Sequence, residues 1–169
     1  MNYSNLRTCD IANGKGIRVS LFVSGCPHKC KGCFNEEAFS FDAGDEYTKD
    51  IEDKIINELK HDYIKGLSLL GGEPLCLENQ ETISNLITHV KKEFGDTKDI
   101  WCYTGYVYNE NIPDSEWKEN ILNNVDILVD GPFIEDEKDI TLKFRGSSNQ
   151  RLIDMKETLK EGKVVLKEY

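Results

Sequence analysis

The residues best suited to chemistry lie in Ser24-Gly25-Cys26-Pro27-His28-Lys29-Cys30-Lys31-Gly32-Cys33-Phe34-Asn35, where half of the six cysteines fall within eight positions. Three thiolates this close can converge on one object. Cubane iron–sulfur clusters take cysteine ligands, normally one for each of four irons. Cys26, Cys30 and Cys33 would serve three of them and leave one iron open as a binding site, which describes a catalytic cluster rather than an electron carrier. Zinc stays open as an alternative, with His28 completing a Cys3His set. Structural zinc sites usually pair two ligand knuckles across a longer stretch, however, and His28 stands only two residues from both Cys26 and Cys30. Inert thiols are the third reading. An odd triplet disfavours a disulfide framework, and a ferredoxin lacks its fourth ligand, since no cysteine follows Cys33 until Cys76.

Composition narrows the partners. A chain of 169 residues suits one domain with a sizeable core. The net charge of −10 opposes nucleic acid and anionic membrane surfaces, both of which are met with basic faces. No apolar run approaches a bilayer span, and Met1-Asn2-Tyr3-Ser4 does not open a signal peptide. The expectation is a cytoplasmic protein, where clustered cysteines more often mean metal or catalysis than disulfides.

The elements that must position the cysteines follow from periodicity. Residues 1–16 read as a polar lead-in with a glycine turn at Gly14 and Gly16. Ile17 to Val23 reads as a buried strand whose carboxyl end carries the cysteine loop, the end where α/β folds build sites. Ile51, Ile55 and Leu59 recur at helical spacing after Thr48, an N-cap residue. Lys65 to Leu70 forms a second strand, and Gly71-Gly72-Glu73-Pro74 follows it, with two glycines that let backbone approach a ligand. Asn79 to Phe94 is an amphipathic helix that Gly95 can stop. A third strand, Asp99 to Tyr103, runs into Thr104-Gly105-Tyr106. A helix around Ser115 to Asn124, with Trp117 and Ile121 inward, leads to a strand from Val125 that ends in Asp130-Gly131-Pro132. Arg145-Gly146-Ser147-Ser148-Asn149-Gln150 reads as a loop or hairpin between Leu142–Phe144 and Leu152–Met155, and Val164 to Leu166 as an edge strand. Cys9, Cys76 and Cys102 read as buried apolar residues. Alternating strands and helices imply parallel pairing by right-handed crossovers. Four such units precede residue 133, against eight in a closed barrel of about 250 residues. The expected fold is therefore α/β, a partial, open (βα) barrel with mainly parallel strands. It is one domain over 1–169, with a core of about 13–133 and a strand-and-loop extension over 134–169.

Cys26-x3-Cys30-x2-Cys33 followed by Phe34 resembles the cluster motif of the radical S-adenosylmethionine (SAM) enzymes, and Gly71-Gly72-Glu73-Pro74 looks like their second motif. Further segments run from Gly14-x-Gly16-x-Arg18 through Trp101-x-Tyr103-Thr104-Gly105-Tyr106 and Leu128-Val129-Asp130-Gly131 to Arg145-Gly146-Ser147-Ser148-Asn149-Gln150. Together they resemble the activating proteins of the anaerobic ribonucleoside-triphosphate reductase over nearly the whole chain. The resemblance implies a [4Fe-4S] cluster on Cys26, Cys30 and Cys33. It also implies SAM held by Gly32, Cys33 and Phe34 at the adenine end and by Gly72 and Glu73 at the amino-acid end, with Glu73 facing the ammonium. The related activase of pyruvate formate-lyase carries Asp-Leu-Lys where Asp130-Gly131-Pro132 stands, so only Asp130 is carried over as a cofactor-binding residue. Thr104 and Asp130 are candidates for a monovalent cation, as in related activases. The implied activity is reductive cleavage of SAM to methionine and a 5′-deoxyadenosyl radical, which abstracts hydrogen from a glycine of the large reductase subunit. A flavodoxin or ferredoxin would donate the electron. A small radical SAM enzyme acting on a free small molecule, such as a deazaguanine-ring synthase, is the alternative within the superfamily. A zinc or iron–sulfur interaction module is the alternative outside it.

Overall fold

The computed structural model describes residues 1–169. The chain opens with β1 (Asn2–Asp10), which pairs antiparallel with β2 (Ile17–Val23), and continues through the two-residue β3 (Asp45–Glu46) and the helix α1 (Lys49–Leu59). There follow β4 (Ile64–Gly71), α2 (Leu77–Phe94), β5 (Asp99–Tyr103), α3 (Lys118–Asn124), β6 (Ile127–Asp130), β7 (Arg151–Asp154) and α4 (Met155–Glu161). The strands make one seven-stranded sheet in the order β3-β1-β2-β4-β5-β6-β7. Its four central strands, β2, β4, β5 and β6, run parallel, while β1, β3 and β7 join antiparallel at the flanks. The sheet is open, with β3 and β7 at its ends.

Alternation of side chains divides the sheet into two unlike faces. Val19, Leu21, Val23, Leu67, Leu69, Ile100, Cys102, Leu128 and Ile153 meet the inward residues of all four helices, among them Ile55, Leu59, Ile83, Leu86, Val90, Ile121 and Met155, in one core of 23 buried residues. The opposite face carries Trp101, Ile127, Val129 and Leu152, with Tyr103, Phe144 and Tyr169 packed against them. No helix covers that face, so a hollow remains beside it, roofed in part by the segment between β6 and β7.

Arg18 fixes the floor of this open face. It is 0 % exposed, and its fork donates to Ser68 Oγ at 2.7 Å and Leu67 O at 2.8 Å and forms an ion pair with Asp99 Oδ1 at 2.6 Å while the guanidinium lies over Trp101. This explains Gly14: at φ +126 it passes so near that a Cβ would sit 2.8 Å from Arg18 Cδ. Close approach, not only turn formation, requires the glycine there.

The structure corrects the sequence reading at several places. The polar lead-in is a nine-residue strand, in which exposed Asn5, Arg7 and Cys9 alternate with half-buried Leu6 and Thr8. Cys9 is therefore exposed rather than a core residue, whereas Cys76 and Cys102 are buried as expected. Val164 to Leu166 makes only an isolated bridge, Ile153 to Leu166, because the chain after β7 turns into α4, which Asp154 caps through the Glu157 amide. Thr48 precedes α1 without a side-chain capping bond, α2 begins two residues before Asn79, and Trp117 is only half-buried just ahead of α3. No helix is long and apolar enough to cross a membrane.

Candidate active site

The carboxyl ends of β2 and β4 bring the two glycine-rich segments together. Beyond β2, Gly25 at φ +91 turns the chain against the Phe41 ring, and its amide donates to Ala38 O at 2.8 Å. Beyond β4, the Gly72 amide donates to Val23 O at 2.8 Å and the Glu73 amide to Gly25 O at 2.7 Å, which ties the second turn to the root of the cysteine loop. Gly72 can make this approach because it lacks a side chain: a Cβ would lie 2.5 Å from Gly25 O.

A cavity of about 590 Å³ opens over these turns. Cys26, Cys30, Cys33, Phe34, Gly72 and Glu73 all line it, so six of the eight residues singled out by sequence share one wall. Gly32 and Asp130 do not line it. Gly32, at φ +73, is covered by Glu135, whose Oε1 occupies space 2.8 Å from where a Cβ would stand. The Asp130 carboxylate lies behind the wall, buried, gripped by Nε and Nη2 of Arg151 and by the Tyr108 amide. Thr104, its proposed companion, is engaged elsewhere: its hydroxyl donates to Glu73 Oε1 at 2.8 Å.

The thiols are unequal. Cys26 is buried and Cys30 and Cys33 are half-buried. Burial pushes the Cys26 thiol up, against the pull of the His28 and Lys29 amides that point at its sulfur. Burial likewise raises Cys33, opposed by the Asn35 amide, which donates to Sγ at 3.4 Å. Amides aimed at sulfur stabilise the thiolate form that any metal requires. No three His, Cys, Asp or Glu side chains converge closely enough to hold a single metal ion. A cubane makes a different demand, one thiolate on each of separate irons, so its ligands stand farther apart than the donors of one ion. Three soft donors spread along one cavity wall fit that demand.

Glu73 is the most engaged side chain of the site. Its Oε1 accepts from the Leu75 amide at 2.9 Å and from Thr104 Oγ1, and its Oε2 accepts from the Gly105 amide and from His28 Nε2, both at 2.8 Å. The sequence marks Thr104-Gly105-Tyr106 as a turn where a site could lie but offers no partner for His28. The signal was a histidine inside the cysteine loop that was badly spaced for ligation. Phe133, 5.6 Å from Phe34 between ring centres, is a further lining residue that no motif announces, and Lys138 lies over the Phe34 ring.

Comparison with known proteins adds to this geometry. Residues 12–153 match a family model described as a 4Fe-4S single cluster domain. The chain is 47% identical over 152 residues to an anaerobic ribonucleoside-triphosphate reductase-activating protein of Vibrio cholerae, an alignment covering 89% of this chain and 96% of that one. It is 44% identical over 154 residues to the protein so described in Enterobacteria phage T4, covering 90% and 93%. With that of Escherichia coli (strain K12) it shares 43% over 152 residues, covering 89% and 96%.

Proposed function

The chain belongs to the anaerobic ribonucleoside-triphosphate reductase-activating proteins, a 4Fe-4S single cluster family, and on that premise we propose that it is a radical SAM activase that installs a glycyl radical on the large reductase subunit. The observation that carries this reading is the single cavity shared by three cysteine thiols and the Gly71-Gly72-Glu73 turn at the carboxyl ends of adjacent parallel strands. Cys26, Cys30 and Cys33 would hold three irons of a [4Fe-4S] cluster, and the fourth iron would be free for SAM. When bound, that cluster supplies the electron that cleaves SAM to methionine and a 5′-deoxyadenosyl radical, with the radical taking hydrogen from a glycine of the reductase.

The protein's own residues bind, orient and exclude water. Backbone of the Gly71-Gly72 turn and the Glu73 carboxylate form the amino-acid end of the SAM site. Phe34, 69 % exposed, offers an aromatic face to adenine, with Gly32 beside it and Phe133 behind it. Asp130 contributes from behind the wall, by fixing Arg151 and the Tyr108 amide. On this reading the open sheet would be a partial barrel of the radical SAM type, its uncovered side closed by the reductase. The electron would come from a flavodoxin or ferredoxin, and the protein would work in the cytoplasm.

The test is electron paramagnetic resonance on an anaerobic mixture of the iron-loaded protein, SAM, a reductant and the reductase. A glycine-centred doublet is expected, and it should vanish with Cys30→Ala. One zinc per chain in anaerobically purified protein, without iron–sulfur absorbance, would overturn the proposal.

A further inference from the structure

Glu73 is the only carboxylate on the cavity wall, and it is 0 % exposed. An ionised carboxylate has about four acceptor positions, and all are filled by the chain itself. Its donors differ in kind. The Leu75 amide, Thr104 hydroxyl and Gly105 amide belong to the rigid turns after β4 and β5. The fourth donor, His28 Nε2, stands on the cysteine loop, lines the cavity and is partly exposed. A carboxylate only accepts, so Nε2 carries the hydrogen. The ring has a shaped seat: Tyr106 meets it edge-on at 4.4 Å, and Gly105 leaves room that a Cβ would fill 2.5 Å from His28 Cδ2. The Thr104-Gly105-Tyr106 segment thus serves this one contact, with two donors to Glu73 and a slot for the imidazole.

We propose that His28 is a displaceable stand-in for the ammonium group of an amino-acid ligand. While the cavity is without that ligand, Nε2–H fills the cavity-facing acceptor position of Glu73. When the ligand arrives its ammonium takes this position and the imidazole rotates out of its seat about its own side-chain bonds, while the cysteines on either side of it stay in place. A buried carboxylate short of a donor is costly, so a donor on the movable side keeps the site satisfied until then. Of the four donors only His28 can leave without disturbing the turns. The ammonium makes a charge-assisted bond in its place, and the Gly105 amide stays on Oε2 throughout. The inference rests on the SAM reading above and adds to it a built-in competitor for the amino-acid end.

Competition has a distinctive sign: removing the competitor tightens binding, whereas a merely damaged site binds more weakly. The experiment is equilibrium binding of SAM to the anaerobically reconstituted protein, wild type against His28→Ala and His28→Phe. The phenylalanine variant keeps the ring contact with Tyr106 and donates no hydrogen bond, so it decides the matter if the alanine variant loses iron. Binding of 5′-methylthioadenosine, which has the nucleoside and sulfur but no amino group, is measured alongside. Both variants should bind SAM about three- to tenfold more tightly than wild type, with unchanged affinity for 5′-methylthioadenosine. Equal or weaker SAM binding by an iron-replete variant overturns the proposal, and so does a gain that extends equally to 5′-methylthioadenosine. A wild-type protein that binds 5′-methylthioadenosine but not SAM overturns it as well, while one that binds neither overturns the SAM reading itself.

Discussion

Gly72→Ala tests whether the two turns at the carboxyl ends of β2 and β4 act as one rigid unit. The new Cβ would stand 2.5 Å from Gly25 O and 3.0 Å from Ala38 O. Neither carbonyl can rotate away, since Gly25 O accepts from the Glu73 amide and Ala38 O from the Gly25 amide. Relief to an ordinary contact of 3.4 Å requires the turns to part by about 0.9 Å. Overpacking of this kind costs about 1–3 kcal/mol, or roughly 2–4 °C of midpoint per kcal/mol in a domain of this size. The functional cost is larger, because the displacement separates the cysteine loop from the Glu73 turn, and misplacement by about 1 Å can cost roughly 100-fold in rate. The comparison is Gly95→Ala, which forces a side chain into a backbone of φ +54 but meets no atom within 4 Å. Strain there costs a similar ~1–3 kcal/mol far from the cavity. Urea unfolding should show comparable losses of stability in the two variants, while SAM cleavage in the presence of the reductase should collapse only in Gly72→Ala. Equal turnover in both would refute the rigid coupling.

Two further outcomes follow from the packing. Arg18→Met strips the fork from the buried face and leaves Asp99 without its partner, so urea unfolding should show a loss of about 3–5 kcal/mol; a loss below about 1 kcal/mol would show that Arg18 is not an anchor. Asp154 titrates in the opposite sense to its burial: burial alone raises its carboxyl, but the Glu157 amide and Lys167 outweigh that and hold it below the ordinary carboxylate range. A depressed pKa stabilises the fold above the unfolded value of about 3.9 and is lost as pH falls through the folded one. Asp154→Ala should therefore cost about 1 kcal/mol at neutral pH, and the gap from wild type should close on acidification below about pH 4. A gap independent of pH would rule out the carboxylate as the cause.

The central parallel strands were legible because strands buried on both faces read as apolar runs, as in Ile17–Val23 and Ile64–Gly71. The flanks were not. In β1, polar residues alternate on the uncovered face, so its own periodicity is no stronger than that of a loop, although its main partner is the neighbouring strand β2. The tail was legible in place but not in extent: Val164 to Leu166 returns to the edge of β7 after α4, with Val165 O accepting from the Asp154 amide, but the pairing stops at the single Ile153–Leu166 bridge. At the site, spacing alone selected the cysteines, and the glycine pair marked a turn. What no spacing could reveal is which side chains meet across the fold. His28 meets Glu73 across a sequence separation of 45, and Arg151 reaches Asp130 across one of 21, pairings that exist only once β2, β4, β5, β6 and β7 lie side by side.

The 23-residue core takes nothing from the segment between Gly25 and Asn35. That segment is held instead by polar and rim contacts: the Cys26 amide to Phe39 O, the bond between Cys33 and Cys30, the imidazole contact, the Phe34 ring against Phe133 and a surface ion pair from Lys31 to Glu135. Small metal-dependent folds unravel when stripped; here the buried core would stand apart from a cluster held by these cysteines. Oxygen that destroyed a cluster at this position would leave a bare but intact frame, and restoring function would be a matter of redelivering iron and sulfide rather than of folding again.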